Sequence, residues 1–369
     1  MDSGINRWTD LPGGARDARG KSPATTPASA GNAKAGAPTP ADSDTAYATE
    51  AGAPLTGEEL ALQTELTRVL HGRCEILMRA ASVESRQSDA PMAIECLLRL
   101  DDAVIRQPPV AAQRALAVVR NPLSSAAQLV GIFERDPALT ESLLQTANSS
   151  YYHRGSEPCI AIAEAVQRVG ARGVESIITM KMIEGVQGRL SSTHSLLQSQ
   201  VWAHMTRTAP IARALARPFQ AVPESAFTVG LLHDMGKLMM FDYLSQLRAI
   251  YVREIKLPDR FLLDMLNRLH EPLGGIAALR WNLGVGVAHA IAWHHRQPPP
   301  ETPDRLGELV CVSERVEHCL LRGVPVDAAR IWREAELGTD AQDVLPLLRE
   351  VPGITLTRSE GTRGQGLAA

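Results

Sequence analysis

The hydrophobic positions of this chain recur mostly at three- and four-residue intervals, and no stretch alternates apolar and polar residues over the length of a strand. Such spacing draws one apolar stripe along a helix, so the pattern predicts an all-α fold. The stripes begin abruptly. Thr56-Gly57-Glu58-Glu59 has the form of a capping box, and Leu60, Leu66, Val69, Leu70 and Leu77 follow at helical spacing to about Arg79. A second helix is expected with Asp89 as N-cap and Pro91 in its first turn, carrying Met92, Ile94, Leu97 and Leu98. Residues 55–107 therefore read as a helical arm that packs on the rest of the chain in preference to a partner.

Between 108 and 352 helices follow one another with short breaks, as one large domain. Asp136-Pro137 opens a helix whose stripe is Leu139, Leu143, Leu144 and Ala147 and which ends at Asn148. Ala161 to Val169 gives another, stopped by Gly170, and Val174 to Val186 is apolar enough to be well buried. A helix from about Leu196 to Arg217 contains Pro210, which removes a backbone hydrogen bond and predicts a kink. Ala328 to Leu337 and Ala341 to Leu348 are the last two helices. Residues 1–54, rich in Pro, Gly, Ala, Ser and Thr, carry too little apolar surface to offset ordering and predict a disordered tail. Residues 353–369 are expected to fray.

Composition narrows the function classes. A hydrophobic share of 44% over 369 residues suffices for a real core, and the low aromatic share of 4% favours helix over sheet. The net charge of -3 supplies no global attraction to nucleic acid or an anionic membrane, and no nucleic-acid motif is present. Five cysteines, at 74, 96, 159, 311 and 319, show no CxxC spacing, which fits free thiols in a reducing compartment. With no run of about 18 apolar residues and no signal-peptide layout, a cytoplasmic protein without a membrane span is expected.

The candidate chemistry is clustered. Six of the ten histidines lie between 204 and 295. Leu231-Leu232 runs straight into His233-Asp234, with Lys237 three residues on, and this delivers an imidazole and a carboxylate to the edge of a core where both reach one divalent cation. His204, His270, the His294-His295 pair and Glu314 stand around this motif; His289 is assigned no role. Each has a plainer reading. His204 could be a buried histidine bonded to a neighbouring helix, and His270 a helix cap with Glu271-Pro272 marking a boundary. On a helix His294 and His295 would stand about 100° apart, so that one faces solvent beside Arg296. Glu314 and Lys237 could be solvated surface charges.

The order His204, His233-Asp234, His270, His294-His295, Glu314 resembles the HD superfamily of metal-dependent phosphohydrolases. The surroundings make it similar to one branch, the HDOD (HD-related output) domain. The resemblance is carried by Asp136-Pro137-Ala138-Leu139 with Leu143-Leu144 and Ala147-Asn148-Ser149, and by Ile162-Ala163-Glu164-Ala165-Val166 with Val169-Gly170. Trp202 to Ala216 followed by Gly230 to Leu238 extends it, as does Gly274-Gly275 through Trp281-Asn282-Leu283 to His294-His295. It spans about Pro108 to Val351. The resemblance implies a helical bundle whose helices present His204, His233, Asp234, His270, His294, His295 and Glu314 to divalent iron, manganese or magnesium, with Glu314 where the family has aspartate. It implies Lys237 as a phosphate contact. It implies a bacterial signalling protein that acts through protein partners, with a metal or nucleotide retained in the cleft. The alternative it implies is a metal-dependent phosphohydrolase acting on a nucleotide or phosphate ester. Cyclic di-GMP hydrolysis is disfavoured, because Arg296-Gln297-Pro298-Pro299-Pro300 stands where the HD-GYP branch has an acid and a Gly-Tyr-Pro loop.

Overall fold

The structure is a computed structural model that describes residues 55–356, except 101–103, 106, 109, 153–157, 188–193, 297–303, 339–340 and 352. The tail expected over 1–54 and the terminus beyond 356 lie outside the described residues. Regular structure among the described residues is helical apart from a bridge between Val326 and Leu356. The helices are α1 (Gly57–Ala80), α2 (Val83–Gln87), α3 (Ala90–Leu97), α4 (Val110–Arg120), α5 (Ala126–Glu134), α6 (Pro137–Ala147), α7 (Ile162–Gln187) and α8 (Ser195–Leu215). They continue as α9 (Pro223–Leu232), α10 (Met235–Tyr251), α11 (Asp259–Arg280), α12 (Val285–Ala292), α13 (Arg305–Arg322), α14 (Ala328–Ala335) and α15 (Ala341–Glu350).

Local signals set the starts. Glu59 N–H donates to the Thr56 hydroxyl at 3.3 Å while the Glu59 carboxylate accepts from Thr56 N–H at 2.8 Å, closing the expected capping box on α1. The buried stripe of α1 is Leu62, Leu66, Leu70, Cys74 and Leu77, laid against α11 and α12. Leu60 falls outside it and is exposed. Asp136 caps α6 through Ala138 and Leu139 N–H, as expected. Gly170, at φ 72° and ψ 166°, interrupts α7, a conformation that an L residue adopts only with strain. Asp89 stands at the start of α3, but its carboxylate makes no cap there. It pairs instead with both terminal nitrogens of Arg253 and accepts from Lys256 N–H at 2.7 Å.

Two prolines lie inside helices, the first where it was expected and the second against expectation. Pro210 lies inside α8 on its exposed face, and the helix continues through it. Pro272 lies inside α11, so the boundary expected at Glu271-Pro272 is absent. A proline in a helix deprives the carbonyl four residues earlier of its donor. That carbonyl is Arg268 O, and the Arg73 guanidinium of α1 supplies the missing bond at 2.9 Å. The same nitrogen holds the Glu271 carboxylate at 2.8 Å. Arg73→Ala should therefore orphan a carbonyl and a buried carboxylate at once, costing about 2–3 kcal/mol in urea unfolding, below a fully buried pair because Arg73 is partly exposed. Arg73→Lys should recover only part of this: both bonds leave one nitrogen, which an ammonium could replace, but its shorter stem must bring that nitrogen to the same place.

Further along the chain, α8, α9, α13, α14 and α15 close over a shared apolar cluster that includes Leu215, Phe219, Leu309, Val312, Val344 and Leu348. Val326 N–H donates to Thr355 O at 2.7 Å, so residues 353–356, expected to fray, are tied to the segment before α14. The cysteines are free, all buried except the half-buried Cys319. No helix among the described residues is long and apolar enough to cross a membrane.

Candidate metal centre

The motif sits at a helix junction. Helix α9 ends at Leu232 and α10 starts at Met235, which leaves His233 and Asp234 in the turn between them with their side chains fully buried. Asp234 occupies the N-cap position of α10 but makes no cap bond; its carboxylate faces the histidines. Gly236 explains how α11 comes so close, because a Cβ there would lie 2.1 Å from His270 O. His270 projects from the middle of α11, His204 from α8 and Glu314 from α13.

The His294-His295 pair corrects the helical reading of that stretch. Helix α12 stops at Ala292, and Arg296 turns to φ 53°. Freed from helical spacing, both imidazoles point inward, and neither faces solvent beside Arg296. Arg296 is itself buried, donating to Ala335 O at 3.0 Å. Glu314 and Lys237 are buried too, which removes the reading of each as a solvated surface charge. Lys237 Nζ lies 2.7 Å from Asp234 Oδ2.

All seven expected ligands converge in two groups. His204, His233 and Glu314 place donor atoms within 4.8 Å of one another, and so do His270, His294 and His295. Asp234 spans them. Its Oδ2 lies 3.8 Å from His204 Nε2 and 3.7 Å from His233 Nε2, while its Oδ1 lies 3.4 Å from His270 Nε2 and 3.9 Å from His294 Nε2. Glu314 connects to the second group as well, with Oε2 3.3 Å from His295 Nδ1. The extra methylene relative to aspartate has not kept this carboxylate out of the site.

The hydrogen bonds fix the tautomers. His233 Nδ1 lies 2.8 Å from Gly230 O, His270 Nδ1 2.8 Å from Leu266 O, and His294 Nδ1 2.7 Å from Ile291 O. A carbonyl only accepts, so each Nδ1 carries the hydrogen and each neutral ring presents a lone pair at Nε2. These lone pairs face other acceptors. His270 and His294 meet Nε2 to Nε2 at 3.4 Å, and His204 and His233 at 3.1 Å. Asp234 Oδ1, buried among them, has no hydrogen-bond partner.

Titration does not relieve the crowding. Burial drives the His233 pKa down to about 3 and lowers those of His270 and His294. Burial would raise the Asp234 carboxyl, but the Lys237 ammonium 2.7 Å away outweighs it and holds the group well below the usual carboxylate range. Glu314 is held low in the same way, with His295 outweighing burial. His295 is the exception: burial pulls it down, yet Glu314 and Glu271 together raise it.

A divalent cation fits this arrangement. Imidazole nitrogen and carboxylate oxygen are its usual donors, and two nitrogens bound at ~2.1 Å to one ion sit roughly 3.0–3.4 Å apart. The orphaned Oδ1 and the opposed lone pairs are what such an ion would satisfy.

Three further residues belong to the surroundings and were not read as site residues in the sequence. Glu271 accepts from His295 N–H at 3.2 Å and so ties the histidine turn to Arg73 of α1. Glu317 accepts from His204 Nδ1 at 2.8 Å, and His318 stacks on the His204 ring at 5.0 Å. The spacing Glu314, Glu317, His318 on one helix face was the available signal, but the same spacing is common on solvated helices.

Comparison with known proteins bears on the family and the fold. A model of the HDOD domain matches residues 105–297. A protein of Treponema pallidum (strain Nichols), named only as uncharacterized, is 28% identical over 282 residues, 71% of this chain and 50% of its own length. The chain thus spans about half of that curated relative. Among solved structures, a candidate metal-dependent phosphohydrolase of Shewanella amazonensis SB2B is 19% identical with a TM-score of 0.52, over 71% of this chain and 89% of its own. An HDOD domain protein of unknown function from Geobacter sulfurreducens is 21% identical with a TM-score of 0.50, over 70% of this chain and 93% of its own. At these identities the structures show a shared fold.

Proposed function

The chain belongs to the HDOD domain family, and from that premise we propose that it is a signalling module built around a buried divalent metal centre and acting through contacts with partner proteins. One observation carries the metal: the Nε2 lone pairs of His270 and His294 face Asp234 Oδ1, which has no hydrogen-bond partner, while that of His233 faces Oδ2 of the same carboxylate. His204, His233, Glu314 and Asp234 Oδ2 would hold an ion on one side; His270, His294, His295 and Asp234 Oδ1 would hold one on the other. The imidazole-rich set favours iron or manganese over magnesium, which prefers oxygen. A bound ion supplies Lewis acidity and lowers the pKa of coordinated water.

The chain's own residues orient this set. Main-chain carbonyls of Gly230, Leu266 and Ile291 lock three rings, and Lys237 holds the Asp234 carboxylate ionised and fixed. Enclosure favours relay over turnover. The most exposed ligand side chain is His295, at 13%. Ligands from α8, the α9–α10 turn, α11, the turn after α12 and α13 make the mutual packing of these elements depend on the centre, and a partner protein would read that packing.

The second reading is a metal-dependent phosphohydrolase acting on a nucleotide or other phosphate ester. It is favoured by the bridging position of Asp234 between two donor groups and by the Lys237 ammonium beside it, a point charge suited to phosphate. Thermal unfolding of the chelator-stripped protein, with and without Mn²⁺ or Fe²⁺, separates the readings when paired with phosphoester assays. The relay reading expects stabilisation of about 2.7 kcal/mol at a hundredfold excess of ion over Kd, and no turnover. Turnover that disappears in His233→Ala would establish the hydrolase instead. An unchanged Tm with every ion would overturn the metal centre.

A further inference from the structure

One turn beyond Glu314, α13 carries a second charged layer that the ligand set does not use. Glu317, only 1% exposed, accepts from His204 Nδ1 at 2.8 Å through one oxygen and from Arg207 Nε at 2.5 Å through the other. His318 stacks on His204 with the rings inclined by 15°. Donor atoms of His204, Glu317 and His318 lie close enough together to suggest another ion. The hydrogen bonds argue otherwise, because both Glu317 oxygens already accept from N–H groups.

We infer that Glu317 is the positioning residue of the His204 ligand: by accepting its Nδ1–H, Glu317 fixes the tautomer that leaves Nε2 open to the metal, and Arg207 anchors the carboxylate from outside. The inference rests on the metal centre proposed above. His204 differs here from its companions. His233, His270 and His294 are each oriented by a main-chain carbonyl three or four residues earlier in their own segment. His204 is oriented across the bundle by a side chain 113 positions away. A carboxylate makes the imidazole a more basic ligand than a carbonyl does. It also joins α8 to α13 through the ligand, so a loss at Glu317 reaches the ion without removing any donor to it.

The test is an Mn²⁺ titration of the stripped full chain, followed by the electron-paramagnetic signal of the free ion, with circular dichroism to confirm folding. Glu317→Gln keeps shape and volume, and should weaken Mn²⁺ binding about 10–100-fold. Arg207→Gln, at a side chain 46% exposed, should fold normally and weaken binding in the same direction by a smaller factor. Val316→Ala is the control. It removes buried apolar surface from the same helix on the face toward the α8–α15 cluster, and should leave Mn²⁺ affinity at the wild-type value. Wild-type affinity in folded Glu317→Gln would overturn the inference, and so would an equal loss in Val316→Ala. Should Glu317→Gln not fold, unchanged affinity in Arg207→Gln would overturn it. A wild-type chain that binds no Mn²⁺ would overturn the metal centre and this inference with it, whereas binding that is indifferent to Glu317 removes the inference alone.

Discussion

Asp234→Asn is expected to abolish metal binding and to destabilise the metal-free protein by about 3 kcal/mol. Both effects follow from one carboxylate. Its two oxygens face one histidine group each, and Oδ2 is also the ion-pair partner of Lys237, whose side chain is 4% exposed. The amide keeps the shape and loses the charge, so a buried ammonium is left without its carboxylate. Combining Asp234→Asn with Lys237→Met removes the stranded charge and should recover most of the stability while metal binding stays lost. Chemical denaturation of the metal-free proteins reads the first effect and ion titration the second. The pH dependence has a definite sign. The folded carboxyl lies well below its unfolded value of 3.8, so its stabilisation is complete above that value and is lost as the pH falls through the lower folded pKa. The gap between wild type and Asp234→Asn should therefore be constant through neutral pH and close only in strong acid.

Gly236→Ala is expected to be nearly as damaging, though it touches no ligand atom. The new Cβ would meet His270 O at 2.1 Å and Gly274 N at 2.9 Å, both backbone atoms that no rotamer change can move. Helices α10 and α11 would have to separate, at a cost of about 3 kcal/mol or more. That separation also carries His270 away from Asp234, so metal affinity should fall together with stability. Gly72→Ala in α1 is the internal control. Nothing lies within 4 Å of its Cβ position, and replacing a helical glycine there should add about 0.5–1 kcal/mol. Equal stability of Gly236→Ala and wild type would show that the close approach of α10 and α11 does not position the site.

What could be read from the sequence and what could not divides along sequence separation. Helix starts at Thr56 and Asp136, and the break at Gly170, were legible because their causes lie within four residues. The ligands were legible as a set because their order resembles that of a known family, not because any one of them is distinctive. The misreadings have non-local causes. Pro272 looks like a boundary until Arg73 is found on the carbonyl it orphans, that of Arg268, 195 positions along the chain from Arg73. Asp89 does stand at the expected N-cap of α3, but its carboxylate is taken by Arg253 and Lys256, more than 160 positions on. Consecutive histidines cannot share a target while helical, and no glycine or proline before His294 announces that α12 ends at Ala292. Glu317 looks like any exposed helical acid; only its burial against His204 and Arg207 reveals its role.

The measurement that bears most directly on the central claim is metal analysis of the full chain purified without oxygen, beside His233→Ala and Asp234→Asn prepared in the same way. The account predicts near-stoichiometric iron or manganese in the wild type, lost in both variants while the fold persists in the charge-balanced Asp234→Asn, Lys237→Met protein. A folded wild type that carries no metal and takes up neither Mn²⁺ nor Fe²⁺ on addition would contradict it.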